Sequence, residues 1–208
     1  MEDLLGYLHS HFLSEPALLA RSGVSLETLR GWQQAGAAPW PSYRLALAGE
    51  AVSCMGAAAL SAESAWYPRG MLCWLGQALA WDGDPERLRA GFEREWRAGL
   101  AALELSPAEA ELDLAAAWRD FLAGGYGVCT CDGLPAQIAQ KEALVSLIDA
   151  LTERQSRSGL EPAQRERLAR AVAWLDAVAA PFAPHERAAS SRARCVELTR
   201  RLYLTEAA

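Results

Sequence analysis

The sequence predicts an all-α protein: a small N-terminal helix-turn-helix followed by a bundle of about six helices. Three observations carry that expectation. Apolar residues recur at helical spacing, as in the stripe Leu88, Phe92, Trp96, Leu100 and Leu103. Start and stop signals bracket these segments, with Asp84-Pro85, Leu134-Pro135 and Pro162 at starts and Gly36 and Gly124 at ends. Only one stretch, Gly124 to Gly133, abandons helix formers thoroughly. It holds four of the sixteen glycines and two of the five cysteines. The implied division is residues 1–42 as a helix-turn-helix-like module and residues 43–208 as a helical bundle domain.

In order, residues 2 to 13 read as a first helix with Leu4, Leu5, Leu8 and Phe12 on one face. Ser14-Glu15-Pro16 caps a short second helix running to Arg21. Ser22-Gly23-Val24 turns the chain, and Ser25 caps a third helix, Leu26 to Ala35. Pro39 and Pro41 bracket Trp40 as a stiff linker. Residues 43 to 62 are Ala-rich and ambiguous: helix is favoured, with a short strand or hairpin near 43 to 55 as the alternative. Met71 to Trp81 is a strongly apolar core helix. The Leu88 stripe comes next, then the capping box Ser106-Pro107-Ala108-Glu109, which predicts a helix ending at Gly124 and forming an αα-hairpin with its predecessor. Beyond the glycine loop come helices from Leu134 to Arg154, Pro162 to Ala180 and His185 to Leu204. Pro181 and Pro184 frame a bend at Phe182.

Composition excludes several classes. With 51% apolar residues over 208 positions, the chain can bury a core. Apolar runs are broken too often for a membrane span. The acidic start, Met1-Glu2-Asp3, lacks the basic opening of a signal peptide, and five cysteines form no dense framework. A cytoplasmic setting is the expectation. The formal charge of −6 argues against wrapping nucleic acid over a broad face. Of the twenty basic residues, Lys141 is the sole lysine. In an Arg-rich chain, a position that keeps Lys is a mild hint that a guanidinium would not serve there; the favoured alternative is that one lysine simply remained by chance.

No catalytic motif is visible: no Gly-x-Ser-x-Gly, P-loop, dinucleotide fingerprint or His-Glu-x-x-His. Cys129-Thr130-Cys131 offers two thiols but no spacing that completes a zinc site, so no metal is expected and any cofactor stays undefined. If the glycine loop folds back on the following helix, Tyr126, Cys129 and Lys141 surround a small acidic ligand. The plain alternative is a solvated Lys141-Glu142 pair. Ser190-Ser191-Arg192 forms another polar cluster, where Ser191 and Arg192 suit an anion or, alternatively, an acid of a neighbouring helix.

Two resemblances add to this. Leu18 to Trp32 resembles the first two helices of a MerR-type DNA-binding domain. The chain then departs from that pattern, giving Ala37-Ala38-Pro39-Trp40 where a basic wing would follow. Four acids against three bases over residues 1–45 make DNA an unfavoured partner and packing or protein contact the favoured use. Pro41-Ser42-Tyr43, Tyr126-Gly127-Val128-Cys129-Thr130 with Lys141-Glu142, and Pro181-Phe182 with Ser190-Ser191-Arg192 together resemble the bacterial domain-of-unknown-function 6058 family. That resemblance spans nearly the whole chain and implies that these polar places form one site. Some members are labelled as natural-product biosynthesis proteins, which implies an enzyme or accessory protein handling a small molecule. The alternative is a helix-turn-helix regulator or interaction module. No membrane partner is expected, and a homodimer stays open.

Overall fold

The computed structural model describes residues 3–106 and 108–205. Met1, Glu2 and Pro107, which enter the expectations for the acidic start, the first helix and the capping box, lie outside the described residues. Helix α1 spans Leu4–His11, and Asp3 caps it by accepting from the Gly6 amide at 2.7 Å. Strand β1 is Phe12–Ser14, followed by α2 at Glu15–Ser22 and α3 at Leu26–Gln34. Gly23 ends α2 in the left-handed region at φ 72°, and Ser25 Oγ caps α3 by accepting from the Thr28 amide at 3.0 Å.

A three-stranded sheet overturns the expected all-α class. Tyr43–Ser53 (β2) and Gly56–Pro68 (β3) form a long antiparallel hairpin, and β1 adds to its root, giving the strand order β1-β3-β2. The protein is therefore a mixed α and β structure. The register runs from Tyr43↔Trp66 at the root to Ser53↔Gly56 at the tip. Gly56, at φ 127°, supplies a conformation that side chains rarely adopt, and Ser53 Oγ accepts from the Met55 amide at 3.1 Å. The first helix also stops earlier than expected. Phe12, Leu13 and Ser14 pair with Pro68, Tyr67 and Trp66, so these residues extend instead of continuing the helix.

The remaining elements are helical: α4 Met71–Ala80, α5 Pro85–Ala101, α6 Leu114–Leu122, the single turn α7 Gly125–Cys129, α8 Pro135–Thr152 and α9 Pro162–Val178. The C-terminal segments Arg192–Leu198 and Arg200–Leu204 are π-wound. The Ser106 cap closes a turn and does not start a helix. Glu109 accepts from the Ser106 amide and hydroxyl, both at 2.8 Å, and is held by Arg167 at 2.7 Å. Helix α6 begins only at Leu114, where Asp113 accepts from the Ala116 amide at 2.9 Å.

One apolar cluster joins Leu18 and Leu29 of the N-terminal helices to Trp74, Phe92, Phe121 and Ile138. A second lies between α8, α9 and the C-terminal helix, around Ile148, Leu168, Leu175 and Cys195. Beneath the sheet root, Tyr7, Phe12, Tyr43 and Trp66 form a third, aromatic one. Gly99 lets α5 approach α8 closely, because a Cβ there would lie 2.4 Å from the Ala136 carbonyl oxygen. Among the described residues, no helix is long and apolar enough to cross a membrane.

Candidate functional site

The glycine loop is a junction packed on both sides. Gly124, at φ 84°, ends α6 and lets the chain reverse into α7. A Cβ on Gly124 would meet the Trp40 carbonyl at 2.4 Å, and one on Gly127 would meet Ser42 Oγ at 2.0 Å. The close approach these glycines permit is thus to the protein's own hairpin root. Ser42 Oγ donates to the Gly124 carbonyl at 2.7 Å, and the Trp40 amide donates to the Leu122 carbonyl at 2.8 Å. On the other flank, the Cys131 amide donates to Val178 at 3.0 Å and the Ala180 amide to Cys129 at 3.2 Å, tying the loop to the end of α9. Buried Thr130 locks the turn: its hydroxyl donates to the Tyr126 carbonyl at 2.7 Å and accepts from the Gly133 amide at 3.0 Å.

Held this way, α7 presents Tyr126 and Cys129 to the first half of α8. Together with Asp120, Gly125, Lys141 and Glu142 they line a solvent-open cleft of about 390 Å³. That volume lies within the range of ordinary small-molecule sites, roughly 300–1,000 Å³. Of the residues singled out in the sequence, the structure brings Tyr126, Cys129 and Lys141 together here. Ser191 and Arg192 are not among the cleft's lining residues. Arg192 is engaged with Asp176 and with the Ala179 carbonyl at 3.2 Å, closing the end of α9. Ser191 Oγ is buried and has no hydrogen-bond partner among the described residues.

The electrostatics of the cleft come from burial and from three charges. The Lys141 side chain is only 13% exposed, and its ammonium donates to Glu142 Oε1 at 2.8 Å. Loss of water would lower the Lys141 pKa, but Cys129 and Glu142 outweigh it, so the net shift is upward and the ammonium stays charged. Burial pushes the Cys129 thiol up; Lys141 opposes that and Glu142 adds to it. Burial also raises the Tyr126 phenol, helped by Glu142 and Asp120. At neutral pH the cleft therefore offers one ammonium, two carboxylates, a neutral thiol and a phenol. Burial and Glu142 work against the thiolate form of Cys129, and no histidine is among the cleft's lining residues. The arrangement suits recognition.

The two cysteines of the Cys-x-Cys pair part company. Cys129 faces the cleft, whereas Cys131 Sγ donates to the Ala179 carbonyl at 3.4 Å. Among the described residues, no three His, Cys, Asp or Glu side chains are placed to hold a metal ion. Sequence reasoning missed Asp120 as a wall of the cleft. It sits on the helix before Gly124 and joins the site only because the chain reverses there.

Two other hollows lie elsewhere on the protein. One between Leu103, Leu144, Leu147, Arg167, Arg170 and Trp174 is smaller, about 190 Å³. The groove at the hairpin root, about 510 Å³, has Arg30 and Arg44 over the Trp40 ring at 5.9 and 5.3 Å. Its Arg30 is already committed. It donates to Glu15 at 2.6 Å and to the Tyr67 hydroxyl at 3.2 Å, in a network that Gln33 completes by donating to Tyr67 at 3.1 Å.

Residues 88–204 match a protein family of unknown function, DUF6058, and the chain belongs to that family. Every residue lining the cleft lies within the matched stretch. The MerR-like stretch Leu18 to Trp32 lies outside it, and nothing in the comparisons supports that likeness. No curated protein and no solved structure matches the chain.

Proposed function

We propose that this DUF6058 protein binds a small zwitterionic molecule in the cleft between α7 and α8. The observation that carries this reading is the placement of the chain's sole lysine. Lys141 is largely withdrawn from water, yet it lines an open cleft beside a thiol, a phenol and two carboxylates. A lysine retained only for solubility would extend its ammonium into solvent. The acidic ligand read from the sequence needs amending. Asp120 and Glu142 share the cleft with Lys141, so a ligand with an acidic group alone would meet two like charges. A ligand with an acidic group for Lys141 and a basic group for the carboxylates satisfies all three. The raised pKa values of Tyr126 and Cys129 keep both protonated as uncharged donors. A reducing cytoplasm suits this site, since Cys129 carries a free thiol.

The test is a thermal-shift screen with free α-amino acids, their N-acetyl derivatives and their amides. At least one free amino acid should raise the midpoint, while its N-acetyl form, lacking the ammonium, and its amide, lacking the carboxylate, should not. Lys141→Met should abolish the shift. Lys141→Arg should weaken it, since charge is kept and geometry is not. No response from any free amino acid, or an unchanged response in Lys141→Met, would overturn the assignment.

A further inference from the structure

The outer part of the hairpin covers nothing. Residues 46–53 and 56–63 are exposed, with Val52 at 73% and Met55 at 93%. A lone two-stranded ribbon is marginal in water, and exposed strand edges are templates for further pairing. Here β1 covers β3 only over Trp66–Pro68, so among the described residues the rest of β3 and all of β2 keep free edges. The pleat sorts the ribbon's side chains into two unlike faces. Leu45, Leu47, Leu60 and Ala62 share one face, on which neither strand places a charged residue. The other face carries Arg44, Glu50 and Glu63. Neither Arg44 nor Glu50 forms an ion pair among the described residues, and the Arg44 guanidinium lies over the Trp40 ring.

We propose that the β2 edge is a dimerisation surface whose partner is the β2 strand of a second copy of this chain, paired antiparallel about Leu47. Charge complementarity selects both the partner and the register. Centred on Leu47, the pairing sets Arg44 opposite Glu50 of the second copy and Glu50 opposite Arg44, so the same charge pair forms twice by symmetry. A register shifted by one residue mixes the charged and uncharged faces. A register shifted by one further step leaves Arg44 and Glu50 opposite uncharged residues. The β3 edge offers no such match, because Glu63 is its only charge beyond the root and β1 blocks the root itself. The result is a four-stranded sheet with one continuous uncharged face, wide enough to be stable where a two-stranded ribbon is not. The two bodies sit at opposite ends of this sheet, because each root lies beside the other copy's tip.

Sedimentation equilibrium of the full chain under reducing conditions tests this. The wild type should be a dimer. Glu50→Arg and Arg44→Glu should each weaken it at least about tenfold, since both symmetry-related pairs become repulsive at once. The double variant Arg44→Glu/Glu50→Arg should restore it. Circular dichroism checks that each variant is folded; these side chains are exposed, so folding should survive. In a Cys54→Ser background, Leu47→Cys should cross-link to its own copy on oxidation and Val52→Cys should not. A monomer at about 100 μM, where micromolar association would already show, overturns the proposal. So does a dimer that ignores both single charge changes, or one that the double variant fails to restore.

Discussion

Removing the Lys141 charge should make the Cys129 thiol harder to ionise, and removing the neighbouring Glu142 charge should make it easier. The two residues are adjacent in sequence and act on the same sulfur with opposite sign. Unit charges about 4 Å apart interact by about 4 kcal/mol at an effective dielectric near 20. The Lys141 ammonium is partly neutralised by Glu142 at 2.8 Å, and the cleft is open to solvent. We therefore take about a third of that value, roughly 1.4 kcal/mol, which is about tenfold in the thiol–thiolate balance. A higher thiol pKa also makes the thiolate more nucleophilic, which returns a little under half of the effect on a logarithmic scale. The net expectation is alkylation about threefold slower in Lys141→Met and faster by a similar factor in Glu142→Gln. Iodoacetamide labelling near pH 8, read by mass spectrometry of the Cys129 peptide in a Cys131→Ser background, measures this. Lys141→Arg, which keeps the charge, should stay close to the parent rate. The reasoning is refuted if both charge removals move the rate in the same direction, or if Lys141→Met leaves it unchanged.

The further predictions concern stability. Gly127→Ala should destabilise by about 1–3 kcal/mol in urea titration, because its Cβ would lie 2.0 Å from Ser42 Oγ. Gly31→Ala in α3 should instead stabilise by about 0.5–1 kcal/mol, as nothing lies within 4 Å of that Cβ; equal effects would remove the packing argument. Arg167, with the Ser106 amide, holds the Glu109 carboxyl down at about 2, below its ordinary 4.5. A depressed folded pKa contributes stability that is fully present above pH 4.5 and is lost as pH falls through about 2. Arg167 is partly solvated, so screening reduces the contribution to about 1 kcal/mol, and Glu109→Gln should flatten the acid limb of the stability curve by that amount.

The helices were largely legible because their signals are local. Asp84-Pro85, Leu134-Pro135 and Pro162 open helices where the sequence places them, and each helix buries most of the apolar stripe that announces it. The hairpin was not legible for a physical reason. A half-buried strand shows alternation because one face meets a core. Leu45 still packs on the root cluster, but residues 46–62 are exposed on both faces, so selection for burial leaves no period in them, and Ala, Leu and Glu read as helix formers. Strand β1 was hidden differently: Phe12 and Leu13 continue the apolar pattern of α1, and only pairing with Pro68 and Tyr67, more than fifty residues away, extends them.

The candidate site divides along the same line. Lys141 stood out through composition, and its cleft partners Tyr126 and Cys129 through proximity to the glycine loop. Arg192 belonged to a local polar cluster too, but a salt bridge from the C-terminal helix to Asp176 of α9 claims it, and no local pattern records that partner. The glycines themselves were legible only as a demand for close approach. Gly124 and Gly127 use that freedom against Trp40 and Ser42, outside the family-matched residues, while Tyr126 and Cys129, alternating with them in the chain, face the cleft inside those residues. One short turn thus serves two surfaces. A side chain at Gly127 would press on the hairpin root and displace Tyr126 and Cys129 with it, so the loop's glycines position the cleft without lining it through side chains.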